Sequence, residues 1–187
     1  MAIYDKYYKT ENLFGEASAE LIDFFATYET KGKILDLGCG QGRDSIPLAR
    51  LGFEVLGLDN SKIGIDQMNR ISKAENLSLK GMVTDIFSFS DYKNFDFVLL
   101  DSMFHFAKKD RKKELLFIQK IISEIKNGCF IVFCIQDTGK KVDILNEIIE
   151  NNGIVTKLLD KKFTYLFEDK ENSHTSKTNY RMIVVEK

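Results

Sequence analysis

The chain has 187 residues, of which 44% are hydrophobic and 29% charged, with a formal net charge of −1. That length suits a single domain with a substantial core, 1–187, and the balance excludes a disordered chain. The near-neutral charge lacks the basic excess of a nucleic-acid-binding domain, so no nucleic acid partner is expected.

The start, Met1-Ala2-Ile3-Tyr4-Asp5-Lys6, carries no apolar run of signal-peptide length. The longest apolar run, from Cys129 to Ile135, is too short to span a bilayer and fits a buried strand, so no membrane partner is expected. Three cysteines without a C-x-x-C spacing suggest neither a disulfide framework nor a metal site. Cys129 and Cys134 fall on opposite faces of the strand they share. A reduced, cytoplasmic setting is the simplest expectation.

Along the chain, Ala17, Leu21, Phe24 and Phe25 follow helical spacing, and Lys31-Gly32 ends that helix. A strand over 33–37 leads into a glycine loop and a helix over 43–51, with Pro47, the only proline, near its first turn. Gly52 closes it before a second strand over 53–58. Ser61 is placed to cap a third helix that carries Ile65, Met68 and Ile71 on one face. The alternation repeats with a strand over 77–83 and another over 95–100. The lysine-rich segment Lys108 to Lys113 reads as the solvated start of a helix with Leu115, Ile118, Ile122 and Ile125 inward, an anion-binding patch being the alternative. A strand over 129–135 and a helix over Val142, Leu145, Ile148 and Ile149 follow, the helix stopping at Gly153. Two strands, 155–167 and 180–185, end the chain, joined by a polar loop over 168–179 with no helix between. This pattern predicts an α/β fold: a doubly wound, mostly parallel seven-stranded sheet with helices on both faces and a C-terminal antiparallel hairpin.

The chemistry concentrates at the strand ends. Asp36-Leu37-Gly38-Cys39-Gly40-Gln41-Gly42 reads as strand, glycine turn and helix start, and Asp59 follows the second strand. Such a loop cradles a nucleoside-bearing cofactor at the carboxyl edge of a parallel sheet. Arg43 stands where a dinucleotide fold requires its third glycine. Asp36 would repel a pyrophosphate but suits an ammonium. Asp59 can accept from both ribose hydroxyls, although the same position also suits a helix N-cap. An ammonium at one end and a free ribose at the other describe S-adenosyl-L-methionine, not NAD.

With Asp85 after the third strand and the terminal hairpin, this set resembles the class I S-adenosylmethionine-dependent methyltransferases over nearly the whole chain, in a Rossmann-like fold. The stretch Asp36 to Ser45, with Leu48-Ala49 and Gly52-Phe53, looks most like the tellurite-resistance and thiopurine-type branch, which acts on sulfur, selenium and tellurium species. The resemblance implies that Gly38, Cys39, Gly40, Gly42 and Arg43 form the loop beside the methionine portion. Asp36 would support its amino group and Asp59 the ribose, with Asn60 at the adenine edge. Asp85 would meet the adenine amino group, with Ile86 on the ring. Asp101 and Ser102 leave the fourth strand where cofactor and acceptor should meet. Asp85 equally suits a turn cap.

His105, His174 and Asp101 are the candidates for acting on the acceptor. His105 also reads as a packed residue among aromatics, and His174 as part of a solvated loop. Asp137 lies on the same expected rim, and Tyr4, Tyr7, Tyr8 and Phe14, within an N-terminal arm and helix over 1–30, can fold over the cofactor or, as the alternative, serve the ordinary packing of the arm. Cys39 reads as a small buried side chain rather than a nucleophile. The expected reaction is methyl transfer to a small molecule, releasing S-adenosyl-L-homocysteine. A macromolecular acceptor and a non-catalytic cofactor-binding protein are the alternatives.

Overall fold

Ser18 opens the first helix by accepting the Leu21 N–H on its hydroxyl, so α1 spans Ala19–Ala26 and buries Leu21 and Phe25. In the computed structural model, which describes residues 5, 8, 10–169 and 174–187, β1 (Lys33–Leu37) follows, then α2 (Ser45–Arg50) and β2 (Glu54–Asp59). Pro47 sits in the first turn of α2, where backbone N–H groups have no helical acceptor to lose. Next come α3 (Lys62–Glu75), β3 (Leu79–Val83), β4 (Phe97–Asp101), α4 (Arg111–Glu124), β5 (Phe130–Gln136) and α5 (Lys141–Asn152). The hairpin strands β6 (Thr156–Asp169) and β7 (His174–Glu186) complete one seven-stranded sheet in the order β3-β2-β1-β4-β5-β7-β6. This is the expected doubly wound architecture.

The chain forms two compact units. The first comprises Met1–Phe89 with Leu166–Ser176, and the second Ser90–Tyr165 with Lys177–Lys187. In the first unit β1, β2 and β3 run parallel, with Asp36 opposite Gly57 and Gly57 opposite Gly81. That pair of glycines leaves a trough for Met68 of α3: a Cβ at Gly57 would lie 2.8 Å from the Met68 methyl, and one at Gly81 only 2.5 Å. Asn69 closes the exposed side of β3 by bonding both backbone groups of Gly81, at 2.7 and 3.1 Å.

In the second unit β4 and β5 are parallel, and β5 pairs with β7 antiparallel. The run Ile131 to Ile135 is buried on both faces, as a central strand requires. Helix α4 turns Phe117, Ile118, Ile121 and Ile122 inward, and α5 turns Val142, Leu145, Ile148 and Ile149 inward before Gly153 ends it at φ 66°.

Three departures from expectation stand out. Strand β3 starts at Leu79, two residues later than expected. Two short 3-10 turns, Ile86–Ser88 and Tyr92–Asn94, precede β4 and delay its start to Phe97. The polar loop expected over 168–179 is largely strand, because β7 already begins at His174. Residues 175–179 have no apolar alternation to announce a strand, but in a hairpin the partner supplies the hydrogen bonds, and Thr175 and Thr178 favour extended backbone. Among the described residues, no helix is long and apolar enough to cross a membrane, and no three His, Cys, Asp or Glu are gathered as a metal would need.

Candidate active site

The first unit holds the glycine loop. Leu58 O accepts the N–H groups of both Gly38 and Cys39, at 2.7 and 3.1 Å, which folds the chain back over the end of β2. Gly38, Gly40 and Gly42 all lie at positive φ, 83°, 55° and 88°. A Cβ at Gly40 would come 2.5 Å from the Tyr8 hydroxyl, and one at Gly42 would come 2.6 Å from Met68 Cγ. The loop is therefore restricted to glycine both by conformation and by space, the room at Gly40 and Gly42 being taken by Tyr8 and Met68.

Asp59 ends β2 and ties this loop to α3. Its carboxylate accepts the Gly40 N–H at 3.0 Å on one oxygen and the Ser61 N–H at 2.7 Å on the other. Burial pushes its pKa up, against the lowering effect of the Ser61, Gly40 and Asn60 N–H groups, and the neighbouring Asp5 carboxylate pushes it further up. Asn60 itself is exposed.

Asp36 is buried, and its carboxylate accepts the Ser45 hydroxyl at 2.5 Å at the start of α2. Arg43 forks onto Asp44 through two bonds of 2.9 and 3.1 Å. Cys39 is buried, and burial together with the charges of Asp36, Asp59 and Asp44 holds its thiol well above the ordinary range. That agrees with a packing role and not a nucleophilic one. Asp85 is exposed and accepts the Phe87 N–H at 3.0 Å, the turn-cap arrangement, while Ile86 is buried.

Among the described residues of the N-terminal segment, Tyr8 lies against this loop. Tyr8 is buried and meets Phe14 edge-on at 6.0 Å, and Asp5 accepts the Ser61 hydroxyl at 2.6 Å. Gln41 bonds the Thr10 carbonyl, the Leu13 N–H and Gln67. Tyr4 and Tyr7 lie outside the described residues. Sequence reading gave no role to Asp5, which belongs to no pattern with defined spacing, or to Gln41, a variable position between two glycines of the loop.

The second unit holds the end of β4. Ser102 bonds Asp101 Oδ1 at 2.7 Å and lies 3.0 Å from the Tyr180 hydroxyl. The next loop is pinned by Glu114 of α4, a buried carboxylate that accepts the N–H groups of His105 and Phe106 at 3.2 and 2.7 Å. His105 is exposed, so the packed alternative does not describe its side chain. Asp137 faces Lys162 at 3.7 Å and Arg181 at 3.8 Å, and Arg181 also pairs with Asp160. That pairing holds the Asp160 carboxyl below its usual range and raises Arg181. His174 begins β7 rather than lying in a loop, and its side chain lies outside the described part of the structure. Tyr180 and Glu114 were not read as site residues: Tyr180 meets Ser102 only through strand pairing, and Glu114 hid behind a run of lysines.

Residues 2–160 match the family model of the tellurite resistance protein TehB. A probable S-adenosyl-L-methionine-dependent methyltransferase TehB of Haemophilus influenzae is 34% identical over 84 residues, 45% of this chain and 29% of that relative. A ubiquinone biosynthesis O-methyltransferase of Pelagibacter ubique is 30% identical over 111 residues, 54% of this chain and 46% of that relative. These matches thus span less than half the length of either curated relative. The crystal structure of TehB from Haemophilus influenzae aligns over 98% of this chain and 65% of its own, with a TM-score of 0.73 at 22% identity.

Proposed function

The chain belongs to the tellurite resistance protein TehB family, and from that premise we propose that it is an S-adenosyl-L-methionine-dependent methyltransferase for a small acceptor with a sulfur, selenium or tellurium nucleophile. The observation that carries this reading is the junction of the bare glycine loop with Asp59, which bonds both the loop and the first residue before α3. Gly38, Cys39, Gly40, Gly42 and Arg43 bring backbone close to the methionine portion of the cofactor. Asp36, steadied by Ser45, supports its ammonium. Asp59 takes the ribose hydroxyls and Asn60 the adenine edge, while Asp85 and Ile86 receive the base. The arm, through Tyr8 and Asp5, covers the loop.

The cofactor supplies an electrophilic methyl group and leaves as S-adenosyl-L-homocysteine; the protein supplies alignment and excludes water. Asp101, Ser102, His105 and His174 serve the acceptor. Its site takes a compact molecule rather than a nucleic acid, since the net charge of −1 gives no electrostatic pull on phosphates. A cytoplasmic location fits three free cysteines, all buried.

A second acceptor class, a hydroxyl compound, is favoured by Asp101 at the end of β4, because an oxygen nucleophile needs a base. Turnover across alkyl thiols, selenite, tellurite, phenols and small amines, read as S-adenosyl-L-homocysteine formed, tests the proposal. Product with a chalcogen acceptor is expected. Cofactor binding without product from any acceptor would leave a non-catalytic binder instead.

A further inference from the structure

We propose that Tyr180 is a positioning residue for proton removal, acting through Ser102 on the carboxylate of Asp101, and that the acceptor carries a protic thiol group. This rests on the methyl-transfer reading above and narrows its substrate class.

The geometry around Ser102 is over-determined. The residue follows β4 at φ 58°, a left-handed conformation that is strained for a side-chain-bearing residue and persists only where neighbours enforce it. Its N–H donates to Cys134 O at 2.9 Å, and its hydroxyl lies 2.7 Å from Asp101 Oδ1 and 3.0 Å from the Tyr180 hydroxyl. A serine hydroxyl has one proton, and a carboxylate only accepts. Ser102 therefore donates to Asp101, and Tyr180 must donate to Ser102. The chain has one direction, from phenol to serine to carboxylate.

Tyr180 is held for this purpose from several sides. It is 8% exposed, stacked on Phe163 at 5.6 Å and edge-on to Tyr165 at 6.0 Å, opposite Gln136 in the β5–β7 register. Asp101 and Ser102 are half-buried, so the relay begins in the interior and ends at an accessible carboxylate. The loop beyond is fixed independently by Glu114.

The step balances as follows. A lone pair of the acceptor's sulfur forms the bond to the methyl carbon. The carbon–sulfonium bond breaks, its electron pair going to sulfur. The acceptor's proton passes to Asp101 and then to solvent. A carboxylate accepts at about four lone-pair positions, so the Ser102 bond does not saturate it. An acceptor that arrives as an anion has no proton to give and is indifferent to the chain.

The test compares 2-mercaptoethanol, protonated at neutral pH, with 4-nitrothiophenol, already a thiolate. For Tyr180→Phe, kcat should fall about tenfold with 2-mercaptoethanol and by less than about twofold with 4-nitrothiophenol. Cofactor affinity and thermal midpoint should stay at wild-type values. Asp101→Asn should lose about a hundredfold on the protonated thiol alone. Adding Tyr180→Phe to it should cost nothing further. Equal losses on both acceptors, or none on either, overturn the inference. If Asp101→Asn fails to fold, Ser102→Ala replaces it with the same expected split. A wild-type protein that binds S-adenosylmethionine but methylates neither thiol also overturns the inference, leaving the cofactor reading intact. Failure to bind the cofactor overturns the methyl-transfer reading itself.

Discussion

Gly40 combines a φ of 55° with a Cβ position 2.5 Å from the Tyr8 hydroxyl and 3.2 Å from Tyr8 Cζ. Gly40→Ala should therefore destabilise the fold by about 1–3 kcal/mol through strain and clash. Tyr8→Phe removes the shortest of these contacts, so in urea unfolding the double variant should recover part of the loss, with a coupling of about 0.5 kcal/mol or more. Strict additivity would show that Tyr8 does not rest on the loop. The thiols make a second residue-level test. Burial and neighbouring carboxylates raise Cys39, burial pushes Cys129 up to about 12, and Cys134 is buried. None of them should react with an aromatic disulfide reagent at neutral pH until the protein is unfolded; fast labelling of the native protein would contradict this. Asp59 carries a pH prediction. In the proposed role its ionised form is the one that accepts from both ribose hydroxyls, and its pKa is raised by burial. Cofactor affinity should fall as pH drops through that raised value, at higher pH than an ordinary aspartate at about 3.9 would give. Asp59→Asn should flatten this limb in a calorimetric pH series.

At the scale of elements, α3 shows how one cap serves two purposes. Ser61 is fully buried; it accepts the Gly64 N–H at 3.1 Å and donates to Asp5 at 2.6 Å. Ser61→Ala removes an N-cap worth about 1 kcal/mol and also a donor from a buried carboxylate, so a total loss of about 2 kcal/mol is expected. A lowered urea midpoint with unchanged slope checks it, and a wild-type midpoint would show the cap to be idle. This helix start was legible because Ser61 precedes a face of Ile65, Met68 and Ile71 at helical spacing. The glycine loop was legible too, since its three glycines and two strand-end aspartates are close in sequence. The start of β7 was not, because residues 175–179 are extended through pairing and have no buried face of their own. Nor was the Ser102–Tyr180 bond, which joins residues 78 apart and depends on the register between β5 and β7.

For the molecule as a whole, the alternation of strands and helices set the parallel order, and the missing last helix set the antiparallel end. Local patterning reports elements well, whereas side-chain partnerships depend on which strands become neighbours. That is why the glycine loop and its aspartates were readable, whereas the contact of Tyr180 with Ser102 emerged only from the fold. The claim on which the rest depends is that Asp59 and the glycine loop hold S-adenosylmethionine. Calorimetric titration of the wild-type protein and Asp59→Ala with S-adenosylmethionine and with NAD tests it directly. The account predicts saturable binding of S-adenosylmethionine, little heat with NAD, and a loss of roughly 1.5–3 kcal/mol in Asp59→Ala, as for bonds to a charged acceptor. Preference for NAD, or an Asp59→Ala variant that binds S-adenosylmethionine as tightly as wild type, would contradict it.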